Sequence, residues 1–566
     1  MENQDQLIRK EDPEGHEGEV ATQSDLEDVQ SSIDASEGLI PSSPKSVASH
    51  ESNIDTVISV LGDFGRFQKL LFFALSFPAA AMAMGVYASV FLEYLPEHRC
   101  MNPCEDEVDY QPLPNWLDDL DDPQCTRPKV LDQFCQLNVS DVEVCSEFVF
   151  DDSVFTNTVT SEFMAVCDHS FWRGLSRSSY MSAMIFGSFF FGWFSDSFGR
   201  RMCFALTAIF LTGGSIGSAM ALNFPMYIAF RFVTSMGGVG MFITAFVLCM
   251  EFIGPSYRTI CGFGIEIPFA MGELYVGFLA YFIRDWRTLQ VVIAGPFLLF
   301  FVYILWLPES IRWALSKGKL DIAKVTLKRM AKCNRIDISD ELIDGVQIGD
   351  KIQEKQDGLI AVLASPGMRQ RFLIMVANWV VVTLCYYGLG MIASIGDNIF
   401  LTFLVTAAME IPSYVFCMFA ASRWGRKPFL SGVQILSALA CVTAGCLPED
   451  LYVPKLVLTV IGKFGASASF AMVFVYTAEL FPTPMRNTVV GLCSTCARFG
   501  GVLAPLIIEL GLIQPQLPFL IIGGLSLLVG IAACWLPETL GRELPDTLEE
   551  ALALSVSSQT LVDIAA

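Results

Sequence analysis

Apolar runs of roughly 20 residues recur along this chain, and each is long enough to cross the hydrocarbon of a bilayer as one helix. Twelve can be placed, at residues 70–92, 175–195, 202–222, 225–249, 260–283, 288–307, 372–394, 398–421, 428–447, 454–477, 488–513 and 517–536. A helix pairs its own backbone groups, as any segment surrounded by lipid must. The expected fold class is therefore an all-α polytopic membrane protein with twelve transmembrane helices. The short hops at Asn223-Phe224 and Ile395-Gly396-Asp397 suit tight helical hairpins.

The net charge of −23 on 566 residues is local. Residues 1–55 hold 14 acids against 3 bases, and residues 93–170 hold 18 against 3. The rest of the chain is close to neutral. Two acidic, water-facing segments argue against nucleic acid as a partner. The first, polar and without an apolar core, reads as a disordered acidic tail rather than a signal peptide, and its partner is unknown.

Basic residues orient the spans. With the N-terminus inside, cytoplasmic loops carry Arg200 and Arg201, Arg258, twelve Lys and Arg between Pro308 and Arg371, Arg423, Arg426, Lys427, Arg486 and Arg542. The opposite loops are poor in them, apart from Arg284, Arg287 and a few in the large first loop. By the positive-inside rule both termini are cytoplasmic. Six of the 17 cysteines fall in the first external loop: Cys100, Cys104, Cys125, Cys135, Cys145 and Cys167. An even number in an oxidising compartment suggests three disulfides, with fifteen pairings open. Their irregular spacing, without a CxxC, speaks against a metal site. Asn138-Val139-Ser140 in the same loop is a glycosylation sequon.

The two halves repeat at an offset of about 226–229 residues. Gly199-Arg200-Arg201 matches Gly425-Arg426-Lys427; Glu251 and Arg258 match Glu479 and Arg486; Leu307-Pro308-Glu309-Ser310 matches Leu536-Pro537-Glu538-Thr539. The expected architecture is two parallel six-helix bundles. One covers 56–307 with external loop 93–174, and the other covers 372–537. A cytoplasmic linker at 308–371 joins them, flanked by tails at 1–55 and 538–566. The run from Gly192 to Arg201, containing Asp196, resembles the loop signature of the major facilitator superfamily, with a serine where a basic residue is common. An acid at a helix end beside a glycine turn and two arginines can form a charge-assisted latch. Asp196, Gly199, Arg200, Arg201, Glu251, Arg258, Arg426, Lys427, Glu479 and Arg486 are the expected gating residues.

The cysteine-bearing first loop is one of several marks that belong together. The others are Arg99-Cys100, Ile283-Arg284-Asp285-Trp286-Arg287, Pro308 to Trp313, Gly462-Lys463-Phe464-Gly465, and the run from Tyr476 to Asn487. Together they resemble the organic cation, anion and zwitterion transporter family, most closely its organic cation/carnitine branch. The resemblance runs from about Leu61 to Leu548. It implies a polyspecific plasma-membrane carrier of small organic ions, working by alternating access.

Charges inside a bilayer are costly, which makes each one a functional candidate. Arg498, well inside the eleventh span, can hold a carboxylate through two parallel hydrogen bonds. In the resembling family an arginine here marks anion and carnitine-type carriers. A structural salt bridge to Glu410 or Glu509 is the competing role. Tyr386, Tyr387 and Trp379 can offer aromatic faces to a quaternary ammonium, and the seven-residue spacing puts Trp379 and Tyr386 on one helix face. The acid that the family's cation carriers place between them is Val382 here. Glu266 and Glu273, also seven apart, can attract a cation or carry a coupling proton. Glu410 and Lys463 are further buried charges that can pair with one another. Met82 stands where carnitine-type relatives carry asparagine, a departure that counts against sodium coupling and strict carnitine selectivity. Four histidines without a clustered Cys or Asp set leave little for catalysis, and no cofactor beyond a coupling ion is expected. An organic anion carrier and a transporter-shaped receptor that does not move its ligand remain the alternatives.

Overall fold

The computed structural model describes residues 52–101, 110, 122, 124–130, 137–337, 346–347, 363–392, 398–448, 450–542, 545 and 547–554. The acidic tail through residue 51, Cys104 and Cys135 lie outside them, and Asn138 is described by its backbone alone.

Strand β1 (Ser52–Asn53) and helix α1 (Ile54–Val60) precede the first bundle. Its members are α2 (Arg66–Leu92), α3 (Phe171–Phe198), α4 (Arg200–Ala219), α5 (Phe224–Phe252), a fifth rod of α6 (Pro255–Gly264) and α7 (Glu266–Phe282), and a sixth of α8 (Trp286–Ala294) and α9 (Leu299–Trp306). Helices α10 (Ile311–Ser316) and α11 (Leu320–Asn334) follow in the linker. The second bundle holds α12 (Pro366–Met391), an eighth rod of α13 (Ile399–Ala408) and α14 (Glu410–Trp424), α15 (Arg426–Cys446), α16 (Tyr452–Leu480), α17 (Thr483–Glu509) and α18 (Leu517–Ala533). Ten of these rods are long and apolar enough to cross a membrane. The other two are α3, 28 residues long and bearing Arg173, Arg177 and Asp196, and α18, at 17 residues. The all-α polytopic architecture expected from the apolar runs is the one observed.

Three rods break where the sequence suggested unbroken spans: the sixth at the 3-10 turn Gly295–Leu298, and the fifth and eighth at a glutamate. Helix α6 ends at Gly264 and α13 at Ala408, and Glu266 and Glu410 each open the next segment. The cause is a repeated Glu-Ile-Pro. Pro268 and Pro412 have no N–H to give the carbonyl four residues back, and their rings crowd it. Those carbonyls belong to Gly264 and Ala408. Both breaks therefore set a glutamate at a helix start.

The halves meet where α3 packs on α17 and where α7 packs on α13 and α14. Small residues let helices approach closely. A Cβ on Gly272 of α7 would strike the Ala80 carbonyl of α2, and one on Gly500 of α17 would strike the Val380 carbonyl of α12.

Between α2 and α3 the first loop forms two antiparallel pairs, β2 (His98–Cys100) with β5 (Phe148–Phe150) and β3 (Thr126–Val130) with β4 (Leu137–Val144). Disulfides Cys100–Cys145 and Cys125–Cys167 staple it. His98 lies beside the second, whose sulfurs are spent on each other. Strand β6 (Val346–Gln347), in the linker, pairs in parallel with β1. The end of the bundles carrying the first loop is called the loop end below, and the opposite end the linker end.

Candidate functional site

A cavity of about 800 Å³ lies between the two bundles. The first half lines it with Met82, Phe242, Phe246, Phe263, Glu266 and Phe269; the second half adds Tyr386, Tyr387, Phe470, Phe474, Arg498 and, at the linker-end rim, Arg426, Glu479 and Arg486. The wall is thus mostly apolar and rich in aromatic rings, with a few placed charges, the usual constitution of a small-molecule site.

Arg498 sits near the middle of α17, and its guanidinium is within hydrogen-bonding reach of the Tyr387 hydroxyl. Neither acid that might have held it is available. Glu410 pairs with Lys463, and Glu509 with Arg173 and Arg177. Tyr386 stacks on Phe470, with ring centroids 4.8 Å apart. Trp379 is fully buried behind the wall, packs on Phe474 and donates through its indole N–H to Thr477 at 2.9 Å. Of the three expected aromatics, two face the cavity and Trp379 supports it.

Beyond the cavity floor lies a sealed polar cluster. Lys463 Nζ is 2.6 Å from Glu410 Oε1, and both side chains are 0% exposed. Tyr386 and Tyr414 donate their hydroxyls to Glu410 Oε2 at 2.9 and 3.2 Å. Lys463 lies over the Tyr386 ring, donates to the Tyr386 carbonyl at 3.1 Å and reaches the Tyr87 hydroxyl at 3.4 Å. Glu273 is buried beside this pair.

The loop end is closed. Phe91 stacks on Phe400 and meets Phe403 edge-on at 4.8 Å, and Arg284 covers Phe400. An ionic seal crosses from α3 to α17, with Arg173 to Glu509 at 3.0 Å and Arg177 to Glu509 at 3.3 Å. Arg177 also binds Glu93, which accepts from Ser176 and Tyr227. These residues were not singled out from the sequence. Arg173 and Arg177, four apart on one helix face, were the available signal. Arg231 was missed as well. It is buried about two turns into α5, donates to the Gly85 carbonyl at 3.0 Å and lies over the Tyr180 ring. In the loop, Glu162 binds Arg287, Trp286 Nε1 at 2.7 Å and Asn157. Burial pushes its carboxyl upward, but these donors outweigh it and hold the carboxyl below the usual carboxylate range.

At the linker end each half carries the same joint. Gly199 (φ 105°) turns the chain into α4, Arg200 N donates to Glu309 at 2.8 Å, and its guanidinium reaches Glu251 at 3.1 Å and Asp196 at 3.0 Å. Arg201 donates from its backbone to Glu309 and through Nε to the Ile304 carbonyl. Gly425 (φ 93°) turns into α15, Arg426 N donates to Glu538 at 2.9 Å, Lys427 N follows at 3.1 Å, and the Arg426 guanidinium grips Glu479. Arg258 joins neither joint. It pairs with Asp55 at 2.6 Å, and Arg312 pairs with the same carboxylate, tying α1 to α6 and to α10.

Residues 136–550 match the family model described as sugar (and other) transporter. The chain is similar to an organic cation transporter protein of Drosophila melanogaster, 33% identical over 516 residues covering 88% of this chain and 94% of that one. It is also similar to organic cation/carnitine transporter 2 of Homo sapiens, 32% identical over 88% of this chain and 94% of that protein. Among solved structures, the partially occluded, inward-open xylose transporter XylE of E. coli superposes with a TM-score of 0.56 at 15% identity, covering 84% of this chain and 99% of that one, which establishes the fold. The chain is a multi-pass membrane protein with the major facilitator fold. It belongs to the sugar (and other) transporter family, in the organic cation, anion and zwitterion branch, a family of transporters rather than enzymes.

Proposed function

We propose that this chain is an alternating-access carrier, secondary or facilitative, for small organic ions, with zwitterions of the carnitine type and organic cations as its substrates. The observation that carries the reading is a single cavity between the halves that sets Glu266 on one wall and Arg498 on the other. A substrate with an ammonium and a carboxylate finds a counter-charge for each end. Tyr386, Tyr387 and Phe470 add aromatic faces, worth on the order of 2 kcal/mol to a desolvated quaternary ammonium. The relatives named above are organic cation and carnitine transporters by name, in keeping with this chemistry.

The cavity reaches the Arg426–Glu479 rim while the loop end is sealed, which supports an inward-facing state with the loop end outside. The stapled loop suits the oxidising exterior of the plasma membrane and carries Asn138 as a glycosylation site. The basic linker and both termini then face the cytoplasm, and the rim residues Arg426, Glu479 and Arg486 gate the cavity. Opening the loop end requires Arg173 and Arg177 to release Glu509. The cycle needs no cofactor.

The test is uptake of labelled carnitine, tetraethylammonium and a dicarboxylate by cells expressing the wild type or Arg498→Ala. Each hydrogen bond to a charged group contributes about 1.5–3 kcal/mol, so the variant is expected to lose carnitine uptake by about tenfold or more while keeping tetraethylammonium. Uptake of tetraethylammonium alone, unchanged in the variant, assigns the substrates to simple cations. Preference for the dicarboxylate assigns them to anions.

A further inference from the structure

The cavity accounts for Glu266 and Arg498 but leaves the buried Glu273 without a role. Glu273 lies seven residues further along α7, about 10 Å deeper at 1.5 Å per residue. It is 0% exposed, and neither carboxylate oxygen has a hydrogen-bond partner. Its neighbours come from both halves. From α14, Glu410 lies within hydrogen-bonding reach and Tyr414 beside it; α16 contributes Lys463, α12 Tyr386 and α2 Tyr87. Helix α13, packed on α7, brings no titratable residue, and Arg287 of α8 is held at the loop end by Glu162. Tyr257, Arg258 and Cys261 of α6 lie toward the linker end of the rod, beyond Glu266.

Charge balance singles out Glu273. Lys463 neutralises one carboxylate, and its short contact goes to Glu410. A second ionised carboxylate in the same dry cluster would stand uncompensated, at a cost of several kcal/mol. One monovalent cation removes that charge. A proton also gives Glu273 an O–H with the Glu410 carboxylate as its acceptor. The two acids sit on different halves, so movement of one half against the other joins or parts them.

We propose that Glu273 binds an exchangeable proton that couples the rocking of the two halves to a proton gradient, a reading that rests on the carrier function above. With the proton bound, the carboxyl donates to Glu410 and the loop end closes dry. With the loop end open, water reaches Glu273, the proton leaves to that water and a solvated carboxylate remains. Toward the cavity the route is Glu410 and then Tyr386, whose hydroxyl binds Glu410 and whose ring lines the wall. Along it the Glu410 carboxylate takes the proton from Glu273 and then hands it to the Tyr386 oxygen as the Tyr386 hydroxyl, turned away from Glu410, gives its own proton to cavity water; Glu273 is left ionised and Glu410 a carboxylate again.

The experiment uses proteoliposomes of the full chain, voltage-clamped with potassium and valinomycin, with labelled carnitine and tetraethylammonium as probes. In the wild type a one-unit pH gradient is expected to change initial uptake by up to about tenfold, with matching proton movement reported by a trapped dye. Glu273→Gln is expected to lose that dependence. Infrared difference spectra between acidic and alkaline buffer should show a carboxyl band in the wild type that Glu273→Gln lacks. If the variant does not fold, the dye record of the wild type decides. Saturable uptake that ignores the pH gradient, or follows a sodium gradient instead, overturns the proton assignment and leaves the carrier standing. If neither probe enters, the carrier reading fails. The infrared band then decides the proton site alone: a band that titrates and disappears in the variant keeps it, and no such band ends it.

Discussion

The joints at Gly199 and Gly425 are copies of one design that have diverged in what they face. In both, a glycine with positive φ turns the chain, an arginine opens the next helix, and the glutamate of a Pro-Glu pair accepts its backbone N–H. An acid at a helix start is favoured by the orphan N–H groups and the dipole there. The side-chain half of the joint differs. Arg426 gives Glu479 several bonds of 2.9–3.2 Å, and Thr539 adds another at 2.6 Å. Arg200 gives Glu251 one bond at 3.1 Å, and Glu251 Oε2 has no hydrogen-bond partner. Arg426 and Glu479 also line the cavity, whereas Arg200 and Glu251 do not. Both halves keep the backbone joint, and of the two pairs only Arg426 and Glu479 reach the cavity wall.

The shared part is broken most severely at the glycines. A Cβ on Gly199 would lie 2.5 Å from Glu309 Oε2, and one on Gly425 2.6 Å from Glu538 Oε2. A left-handed backbone costs a non-glycine residue roughly 1–2 kcal/mol, and a lost bond to a charged group about 1.5–3 kcal/mol. Gly199→Ala and Gly425→Ala should each lose about 3 kcal/mol or more, read as a lower Tm in detergent. Equal losses sharpen the comparison. A large loss at one glycine alone breaks it, because the two backbone joints would then not be equivalent.

The joints were legible in the sequence because they are short-range patterns repeated at one offset. The spans were legible because lipid demands length and apolarity. What stayed hidden depends on how one helix is rotated against another. Arg173 and Glu509 are 336 residues apart, and only the packing of α3 on α17 joins them. Arg258 has the same place in the sequence repeat as Arg486, yet its partner Asp55 comes from α1, which precedes the first bundle. The breaks at Gly264 and Ala408 were readable from Pro268 and Pro412. The weight of the apolar runs hid them.

The diverged part predicts unequal outcomes. Glu479→Gln removes the charge that holds Arg426 on the cavity wall. It should cost about 1.5–3 kcal/mol and lower tetraethylammonium uptake. Glu251→Gln removes one bond away from the cavity. It should cost about 1 kcal/mol and leave the KM for the same probe unchanged. Melting curves with uptake kinetics on both variants decide the matter. A matching fall in uptake for Glu251→Gln would mean that both joints act on the pathway.

The smallest effect belongs to the outermost pair. Asp196 lies 3.0 Å from Arg200, but its side chain is 75% exposed, and ion pairs of this kind contribute at most about 1 kcal/mol and often nothing. The corresponding position of the second joint is Ser422, so that copy works without an acid there. Arg200 keeps its bonds to Glu251 and to the Ser195 carbonyl whether or not Asp196 is charged. Asp196→Asn should therefore shift stability by less than about 0.5 kcal/mol and become silent at high salt. Loss of uptake in this variant with an unchanged melting curve would instead make Asp196 a gating residue, one whose partner forms only when the linker end closes, and it would place the functional asymmetry of the two joints at Asp196 and Ser422 rather than at Glu251 and Glu479.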